Sequence, residues 1–272
     1  MAGVPRFFSS LSTMIPILYE EPHFMLVNKP AGLLTQAVIG VDCLQKQLMQ
    51  QIKLRDDHVG QPFVGLPHRL DRGTSGVLLV ARNQRALRRF GDQFHHRQVQ
   101  KYYVAWFSGD LPCGVLHWQD WIRKVDQEAR AEIVPADTPG ARLAEMRVLK
   151  IASSEKGCLG LVQILTGRMH QIRLQLASRG LPVVGDGMYG SQTSFSPLAK
   201  DADPRFAPLA LHALRLECRH PQSAIQLSAT APFSEYFTEL CPVIAQACQE
   251  IYRISLQTVQ QQWKFDQMAE RS

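Results

Sequence analysis

A single carboxylate lies between two arginines in residues 68–76, whose sequence is HRLDRGTSG. Nearby positive charge favours the ionised form of Asp71, and an ionised carboxylate at a strand edge can serve as a nucleophile or a base. Gly73 and Gly76 allow the chain to bend sharply around the acid before the apolar residues 77–81. On charge and turn chemistry alone, however, a surface aspartate that pairs with arginine for structure only is the better explanation.

The stretch that follows is strongly basic. Residues 82–101 contain six basic side chains and one acid, Asp92. Asn83 is a suitable N-cap, and at helical spacing Leu87, Phe90 and Phe94 share one face. The arginines that share the other face are Arg82, Arg85, Arg88 and Arg89. The pattern predicts a helix that packs its aromatic rings inward and holds arginines for phosphate contact, although an ordinary solvated helix face is the alternative.

Composition indicates a soluble globular protein that acts in the cytoplasm. The 272 residues are 45% hydrophobic and 20% charged, and no apolar run is long enough to cross a bilayer. A net charge of +6 permits a polyanionic partner. Six cysteines without a Cys-x-x-Cys pair indicate reduced thiols. Cys218 and His220 lie near His212, but no second cluster completes a metal site, so we expect no metal and no cofactor.

The remaining elements alternate irregularly between strands and helices. Residues 15–29 predict two β segments around a Glu-Pro turn, and a helix capped by Asp42 should run to Arg55. The other predicted elements are a strand at 101–107, hairpins across 115–148, a strand at 159–165, a helix at 169–179 that stops at Gly180, an exposed loop at 191–208 and a strand at 209–216. We therefore expect an α+β fold with a central mixed or antiparallel sheet flanked by helices and loops.

Three segments divide the chain. Residues 1–14 are predicted to be a disordered leader, residues 15–240 the main domain, and residues 241–272 a helical extension packed on that body.

Several sequence blocks together resemble the RluA branch of the RNA pseudouridine synthases. The blocks are residues 24–32, HRLDRGTSG at 68–76, KYYVA at 101–105, GRMHQIR at 167–173, and the later segments 182–190 and 211–213. They occur in the order that the family uses and extend from about Ile15 to about Phe233. Met169 occupies a position where the family often has threonine, a change that we expect to be tolerated. No S4-like RNA-binding domain is expected before Ile15.

The resemblance implies that specific uridines in structured RNA, ribosomal or transfer RNA, are isomerised to pseudouridine without cofactor or metal. It assigns the catalytic carboxylate to Asp71, which acts either as nucleophile or as base. Arg173 resembles the basic partner that lowers the pKa of this aspartate and orients it. Tyr103 resembles the tyrosine that stacks on the target base, because the Lys-x-Tyr spacing from Lys101 selects it over Tyr102.

A stacked uridine must be extruded before a buried carboxylate can reach it. The planar guanidinium of Arg69 can stack where the base was, with ion pairing to a nearby acid as the alternative. For His68 a structural hydrogen bond and an RNA contact are both open. Arg168 is predicted at a helix start, where phosphate binds readily. The full set of predicted RNA contacts is Arg69, His68, Arg72, Arg82, Arg85, Arg89, Lys101, Arg168, His170 and Gln171. We expect a monomer that binds RNA and no membrane.

Two other functions compete with this one. A glycoside-type hydrolase would use Asp71 with a second acid such as Asp186, which would have to lie close to Asp71. A catalytically inactive RNA-binding module is supported by the basic helix alone. The presence of Asp71, Tyr103 and Arg173 together argues against the inactive module.

Overall fold

The structure, a computed structural model, describes residues 14–36, 40–57, 59–195, 207–223, 225–233 and residue 237. The predicted leader, apart from Met14, and the predicted C-terminal extension lie outside these ranges, as do residues 196–206 of the predicted loop. No helix within the described ranges is both long and apolar enough to cross a membrane.

The described residues form ten strands and three α-helices. The strands are β1 (Ile17–Glu21), β2 (Phe24–Lys29), β3 (Ser75–Ala81), β4 (Gln100–Phe107), β5 (Val115–Lys124), β6 (Ala131–Ile133), β7 (Arg142–Ser154), β8 (Gly157–Ile164), β9 (Leu211–Arg219) and β10 (Gln226–Thr230). The helices are α1 (Leu44–Arg55), α2 (Gln84–His95) and α3 (Gln171–Ala177), and a 3₁₀ turn spans Gly187–Tyr189.

All ten strands belong to one sheet. Its order is β1-β2-β3-β9-β4-β8-β7-β5-β6, and β10 pairs with β9. Neighbouring strands are antiparallel except β3 and β9, which are parallel. The predicted α+β fold with a mixed sheet is therefore confirmed. The order also separates β3, which follows the Asp71 loop, from β4, which carries Tyr103, by a single strand.

The parallel junction between β3 and β9 is short and tightly packed. Ser75 pairs with His212 and Gly76 with Ala213. Gly76 has φ +114°, and a Cβ at this position would lie 2.2 Å from the carbonyl oxygen of Ala213, so only glycine fits. Ser75 Oγ lies 2.8 Å from His212 Nδ1, and His212 Nε2 lies 3.3 Å from the carbonyl oxygen of Ala231. These bonds hold the end of the Asp71 loop against the sheet.

The helices follow from their sequence patterns with two corrections. The Asn83 cap of α2 is confirmed, because Asn83 Oδ1 accepts a hydrogen bond from Ala86 N at 2.8 Å. Helix α1 instead has Cys43 as its N-cap residue, and Asp42 accepts from Cys43 N, one residue before the helix. Helix α3 begins at Gln171 rather than Met169, because His170 has φ +52° and interrupts the helical backbone.

The cysteine and histidine pattern near residue 218 does not build a cation site. Cys218 is buried, and His220 Nε2 lies 2.9 Å from Glu21 Oε2. In the described part of the chain, no group of three His, Cys, Asp or Glu residues is arranged to hold a metal ion.

Candidate active site

The loop that carries Asp71 is held by the segment that follows β2. Lys29 is completely buried, and its Nζ donates to the carbonyl oxygens of Pro30 at 2.8 Å and Arg72 at 3.1 Å. Gly32 N also donates to the Arg72 carbonyl at 2.8 Å, and Thr35 Oγ1 donates to the Leu70 carbonyl at 2.6 Å. Burial lowers the pKa of Lys29 to about 7, although the charge of Asp71 acts in the opposite direction. Three of these bonds, two to the Arg72 carbonyl and one to the Leu70 carbonyl, thus fix the loop on both sides of the acid.

Arg173 connects two carboxylates at the centre of the site. Its Nη1 lies 3.2 Å from Asp71 Oδ2, while Nε and Nη2 donate to the two oxygens of Asp186 at 2.6 and 2.8 Å. The Asp186 side chain is 1% exposed and that of Arg173 8%. Burial alone would lower the pKa of Arg173, but the bonds to Asp186 and the charges of both carboxylates raise it above its ordinary value. Arg173 is therefore a permanent cation beside Asp71.

Tyr103 on β4 faces the same carboxylate. It is 8% exposed, and burial raises the pKa of its hydroxyl, with the negative charge of Asp71 adding to the effect. Its neighbour Tyr102 points to the other side of the strand, where its hydroxyl accepts from Gln163 Nε2 at 3.4 Å. The alternation along β4 leaves Tyr103 as the tyrosine at the Asp71 pocket.

His170 lies between Asp71 and Tyr189. Its Nδ1 is 2.9 Å from the Tyr189 hydroxyl, and its Nε2 is 3.9 Å from Asp71 Oδ1. Burial lowers the pKa of His170, and the charge of Arg173 lowers it further, while Asp71 opposes both. The Tyr189 hydroxyl also accepts from Ala131 N at 2.9 Å, so it connects the site to β6. His170 has a left-handed backbone, with φ +52°, which is uncommon for a residue other than glycine. This backbone directs the imidazole ring of His170 into the pocket.

His68 and Lys101 contact the same aromatic ring, that of Phe94. His68 stacks on Phe94 with centroids 4.5 Å apart, and its Nε2 accepts from Leu79 N at 2.9 Å. Burial lowers the pKa of His68 to about 3. Lys101 Nζ lies 5.9 Å from the centroid of Phe94. The structure thus gives His68 the structural hydrogen bond that the sequence left open.

The two arginines that flank Asp71 differ in their surroundings. Arg69 is exposed, and within the described ranges it forms no ion pair or hydrogen bond. Arg72 is half-buried, and its Nε donates to the Gly32 carbonyl at 2.8 Å. The ion pair considered for Arg69 is therefore absent from the described residues, whereas Arg72 helps to hold its own loop.

Two of the four arginines of the α2 region form bonds within the protein, and Arg88 is exposed. Arg82 donates to Glu20 at 2.7 Å and to Asp56 at 3.0 Å. Arg89 donates to the carbonyl oxygen of Pro221. Arg85 is exposed. Of the three RNA contacts predicted here, only Arg85 has a side chain that points into solvent.

Arg168 and Gln171 stabilise the turn before α3. Arg168 lies three residues before the helix and not at its start, and its Nε donates to the Leu143 carbonyl at 2.9 Å. Gln171 is buried and bonds to Thr166 Oγ1, Arg168 N and the Glu145 carbonyl. Arg168 therefore does not lie at the helix N-terminus, which was the reason for predicting phosphate binding there. The side chain of Gln171 forms its hydrogen bonds within the protein.

Three residues of the site were missed by reasoning from the sequence. Asp186 was considered only as a hydrolase acid, while Tyr189 and Lys29 were not assigned a role. All three lie in segments that the family resemblance covers, 24–32 and 182–190. The family resemblance of those segments was the signal that could have identified the three residues. Nothing in the spacing of the segments predicts that Asp186 binds Arg173 across the pocket.

The geometry counts against both competing functions. Both oxygens of Asp186 accept hydrogen bonds from Arg173, and this cation stands between Asp186 and Asp71. A two-carboxylate hydrolase needs a second acid that faces the first across the scissile bond, and here a cation lies there instead. The inactive module is disfavoured because Asp71, Arg173 and Tyr103 converge on one pocket.

Comparison with known proteins gives the class. Residues 23–178, more than half of the chain, match the family model for RNA pseudouridylate synthase. The chain therefore belongs to the RNA pseudouridylate synthase family, in the RluA branch that its motifs resemble.

Named relatives extend the match. Ribosomal large subunit pseudouridine synthase C of Vibrio cholerae is 31% identical over 233 residues, which cover 85% of this chain and 70% of that protein. Ribosomal large subunit pseudouridine synthase D of Pseudomonas aeruginosa is 29% identical, with 85% and 72% covered. The human RNA pseudouridylate synthase domain containing 4 shares the fold, with a TM-score of 0.67, 22% identity and coverage of 86% of this chain and 93% of that chain.

Proposed function

We propose that this enzyme isomerises specific uridines of large-subunit ribosomal RNA to pseudouridine, with Asp71 as the catalytic group. The observation that carries the proposal is the contact of Asp71 with Arg173 beside the buried face of Tyr103. The choice of RNA is supported by relatives such as those of Vibrio cholerae and Pseudomonas aeruginosa, which are named for the large ribosomal subunit. Transfer RNA is the other substrate to be tested.

Each central side chain has a role in this reaction. Asp71, which lies 3.2 Å from Arg173, either adds to the anomeric carbon of the target ribose as the bond to the base breaks, or removes the proton from its 2′ position. Tyr103 stacks on the uracil ring and keeps the detached base in the pocket while it turns to present carbon 5. The buried walls keep water away from the intermediate, which would otherwise lose the base.

The exposed residues near the pocket suit the delivery of the nucleotide. Arg69 has no partner among the described residues, so its guanidinium is free to occupy the space of the extruded base. His170 lies close enough to Asp71 to contact the ribose or the uracil edge. We further propose that the protein acts as a monomer in the cytoplasm, where ribosomal RNA is found.

Replacement of the catalytic carboxylate tests the function. Asp71→Asn should abolish pseudouridine formation, because an amide is neither a nucleophile nor a base, and should leave RNA affinity within about threefold, since few phosphate contacts change. The measurement is pseudouridine mapping of ribosomal and transfer RNA from cells that carry the wild type, the variant or no copy of the gene.

The exposed carboxylate of Asp137 offers a matched control. Asp137→Asn removes the same charge away from the pocket and should retain full activity. Substantial turnover by Asp71→Asn contradicts the catalytic assignment, and gene-dependent sites confined to transfer RNA contradict the ribosomal substrate.

A further inference from the structure

Four cationic side chains from separate segments converge beside the Asp71 pocket. The cation cluster consists of Arg97, Lys101, Arg142 and Arg168. Arg97 lies in the turn between α2 and β4, Lys101 on β4, Arg142 at the start of β7 and Arg168 before α3. The sequence predicts RNA contacts at Lys101 and Arg168 for other reasons, whereas Arg97 is counted only within the basic stretch 82–101 and Arg142 is assigned no role.

Contacts between these four segments place them together. Arg168 Nε bonds to the carbonyl of Leu143, the residue after Arg142. Lys101 Nζ lies 3.8 Å from the position that a Cβ would take at Gly167, next to Arg168. Arg97 reaches across to β7, where its Nη1 lies 3.8 Å from Glu145 Oε2.

The positive charge of the cluster is poorly compensated. Glu145 is its one carboxylate partner within the described ranges, at 3.8 Å from a side chain of Arg97 that is 55% exposed. Other arginines on this protein have close acids, such as Arg123 with Glu132 at 2.6 Å and Arg179 with Asp120 at 2.9 Å. An uncompensated set of cations repels itself and favours a polyanionic ligand.

Mutual repulsion is visible in the proton affinities of the cluster. Burial, together with the smaller effect of the charge of Arg97, lowers the pKa of Lys101 to about 8. Burial also lowers the pKa of Arg168, and Arg97 and Arg142 add to the decrease. Each cation therefore lies within the electrostatic reach of another.

The cluster is continuous with the active site on two sides. Lys101 contacts Phe94, the ring on which His68 stacks three residues before Asp71. Arg168 is two residues from His170, whose Nε2 lies 3.9 Å from Asp71. A nucleic-acid strand that places one nucleotide at Asp71 therefore has neighbouring phosphates at the cluster.

We propose that the cation cluster binds backbone phosphates of the RNA on one side of the extruded uridine. The identity of the RNA rests on the proposed function, but the phosphate site does not. In this arrangement the RNA path runs along the α2–β4 turn and the start of β7, and not over the exposed face of α2. Phosphate contacts fix the register of the strand and leave sequence choice to the pocket.

Salt dependence of RNA binding tests the cluster. The double variant Arg97→Asn and Arg142→Ala removes its two exposed members, and asparagine suits the left-handed backbone of Arg97, at φ +55°. The probe is a fluorescein-labelled RNA stem-loop with uridines in its loop, titrated between about 50 and 200 mM KCl. The slope of log affinity against log salt should decrease in magnitude by about 2, roughly 1 for each phosphate contact.

Two further double variants provide the comparison. Lys53→Ala with Lys156→Ala removes the same charge from exposed sites on α1 and in the β7–β8 turn and should leave the slope unchanged. Arg85→Ala with Arg88→Ala examines the rival path over α2. Arg97→Lys with Arg142→Lys should retain the wild-type slope. Wild-type thermal melting of all variants confirms that they fold.

The kinetic parameters add a second readout. At low salt the cluster variant should show a raised KM and an unchanged kcat for the wild-type reaction, and the same loss of affinity for a stem-loop of unrelated sequence. Any of three results would overturn the proposal. They are an unchanged slope in the Arg97 and Arg142 variant, an equal decrease in the Lys53 and Lys156 variant, and a slope that depends on Arg85 and Arg88 instead. A wild-type protein that binds with a steep slope and forms no pseudouridine would contradict only the proposed function.

Discussion

The side chain of Arg173 has three separate bonds to two carboxylates, and its orientation depends on the buried one. Asp186 accepts at both oxygens and leaves Nη1 to face Asp71. Two hydrogen bonds along one edge fix the orientation of the planar guanidinium, so Asp71, the proposed catalytic acid, contacts a donor of fixed position. The family motif alone predicted Asp71, Tyr103 and Arg173. The ion pair of Asp186 with Arg173 could not be predicted from the sequence, because the two residues lie 13 positions apart across an irregular turn.

Loss of the Asp186 charge should therefore impair catalysis without removing a reacting group. Asp186→Asn leaves a buried arginine with one weaker acceptor, so we expect a loss of about 3 kcal/mol in the free energy of unfolding. The kcat should fall by about 100-fold, since Arg173 is free to turn away from Asp71, while KM changes little. Urea unfolding and steady-state kinetics measure the two effects.

An exposed aspartate in an ordinary ion pair is the appropriate control. Asp110 pairs with Lys150 at 2.7 Å and is 58% exposed. Asp110→Asn should change stability by less than about 1 kcal/mol and leave kcat unaltered. Equal effects of the two substitutions would show that Asp186 is no more than another surface acid.

At the scale of elements, the β3–β9 junction and the segment before α3 set the positions of the side chains proposed for catalysis. The strands and helices themselves were largely predictable, because β3 and β4 are short continuous apolar runs and α2 has apolar residues at helical spacing. The parallel pairing of β3 with β9 was not predictable, since both strands are apolar and no local signal specifies a partner so distant. The start of α3 was also misplaced, because the left-handed backbone of His170 is set by its contacts with Tyr189 and not by helix propensity.

Gly76 provides the test of the junction. Gly76→Ala would place a methyl group 2.2 Å from the Ala213 carbonyl at a positive φ, so strain and overpacking together should cost at least about 3 kcal/mol. Activity should fall as well, because the loop at Asp71 ends at this position. Urea denaturation gives the stability, and amide hydrogen exchange of β3 and β9 locates the damage.

Substitution of Gly91 by alanine is expected to change stability in the opposite direction. Gly91 lies inside α2 with open space around the position of a Cβ. Gly91→Ala should stabilise the protein by about 0.5 to 1 kcal/mol, because alanine has the higher helix propensity. A Gly76→Ala variant as stable as the wild type would contradict the described packing of β3 on β9.

At the scale of the whole molecule, two histidines held neutral in the protein make stability depend on pH. Burial lowers the pKa of His212 to about 4 and that of His68 to about 3, from an ordinary value of 6.5. Between the lowered pKa values of the folded protein and the ordinary value of 6.5, the unfolded chain binds more protons than the folded chain. The free energy of unfolding therefore rises with pH in this range. The contribution is complete above about pH 6.5 and is lost as the pH falls toward 4 and 3.

Removal of His212 should weaken this dependence. Its own contribution to the difference in unfolding free energy between about pH 7 and about pH 5 is about 2 kcal/mol. In His212→Gln that difference should shrink accordingly, whatever the absolute cost of the lost packing. The exposed His117 serves as control, and His117→Gln should retain the wild-type pH dependence. A pH dependence identical in the His212 variant and the wild type would contradict this account, because it would mean that His212 binds protons equally in the folded and unfolded states.

The two-residue parallel junction also bears on how the protein folds. Ser75 and His212 are 137 residues apart, so the contact that secures the end of the Asp71 loop closes one of the longest loops in the sheet. Contacts of this separation form late and slow the folding of a domain. On the ribosome, Asp71, Tyr103 and Arg173 all emerge before β9 does. A nascent chain therefore carries all three side chains proposed for catalysis for some time before it contains β9, the strand that secures the end of the Asp71 loop.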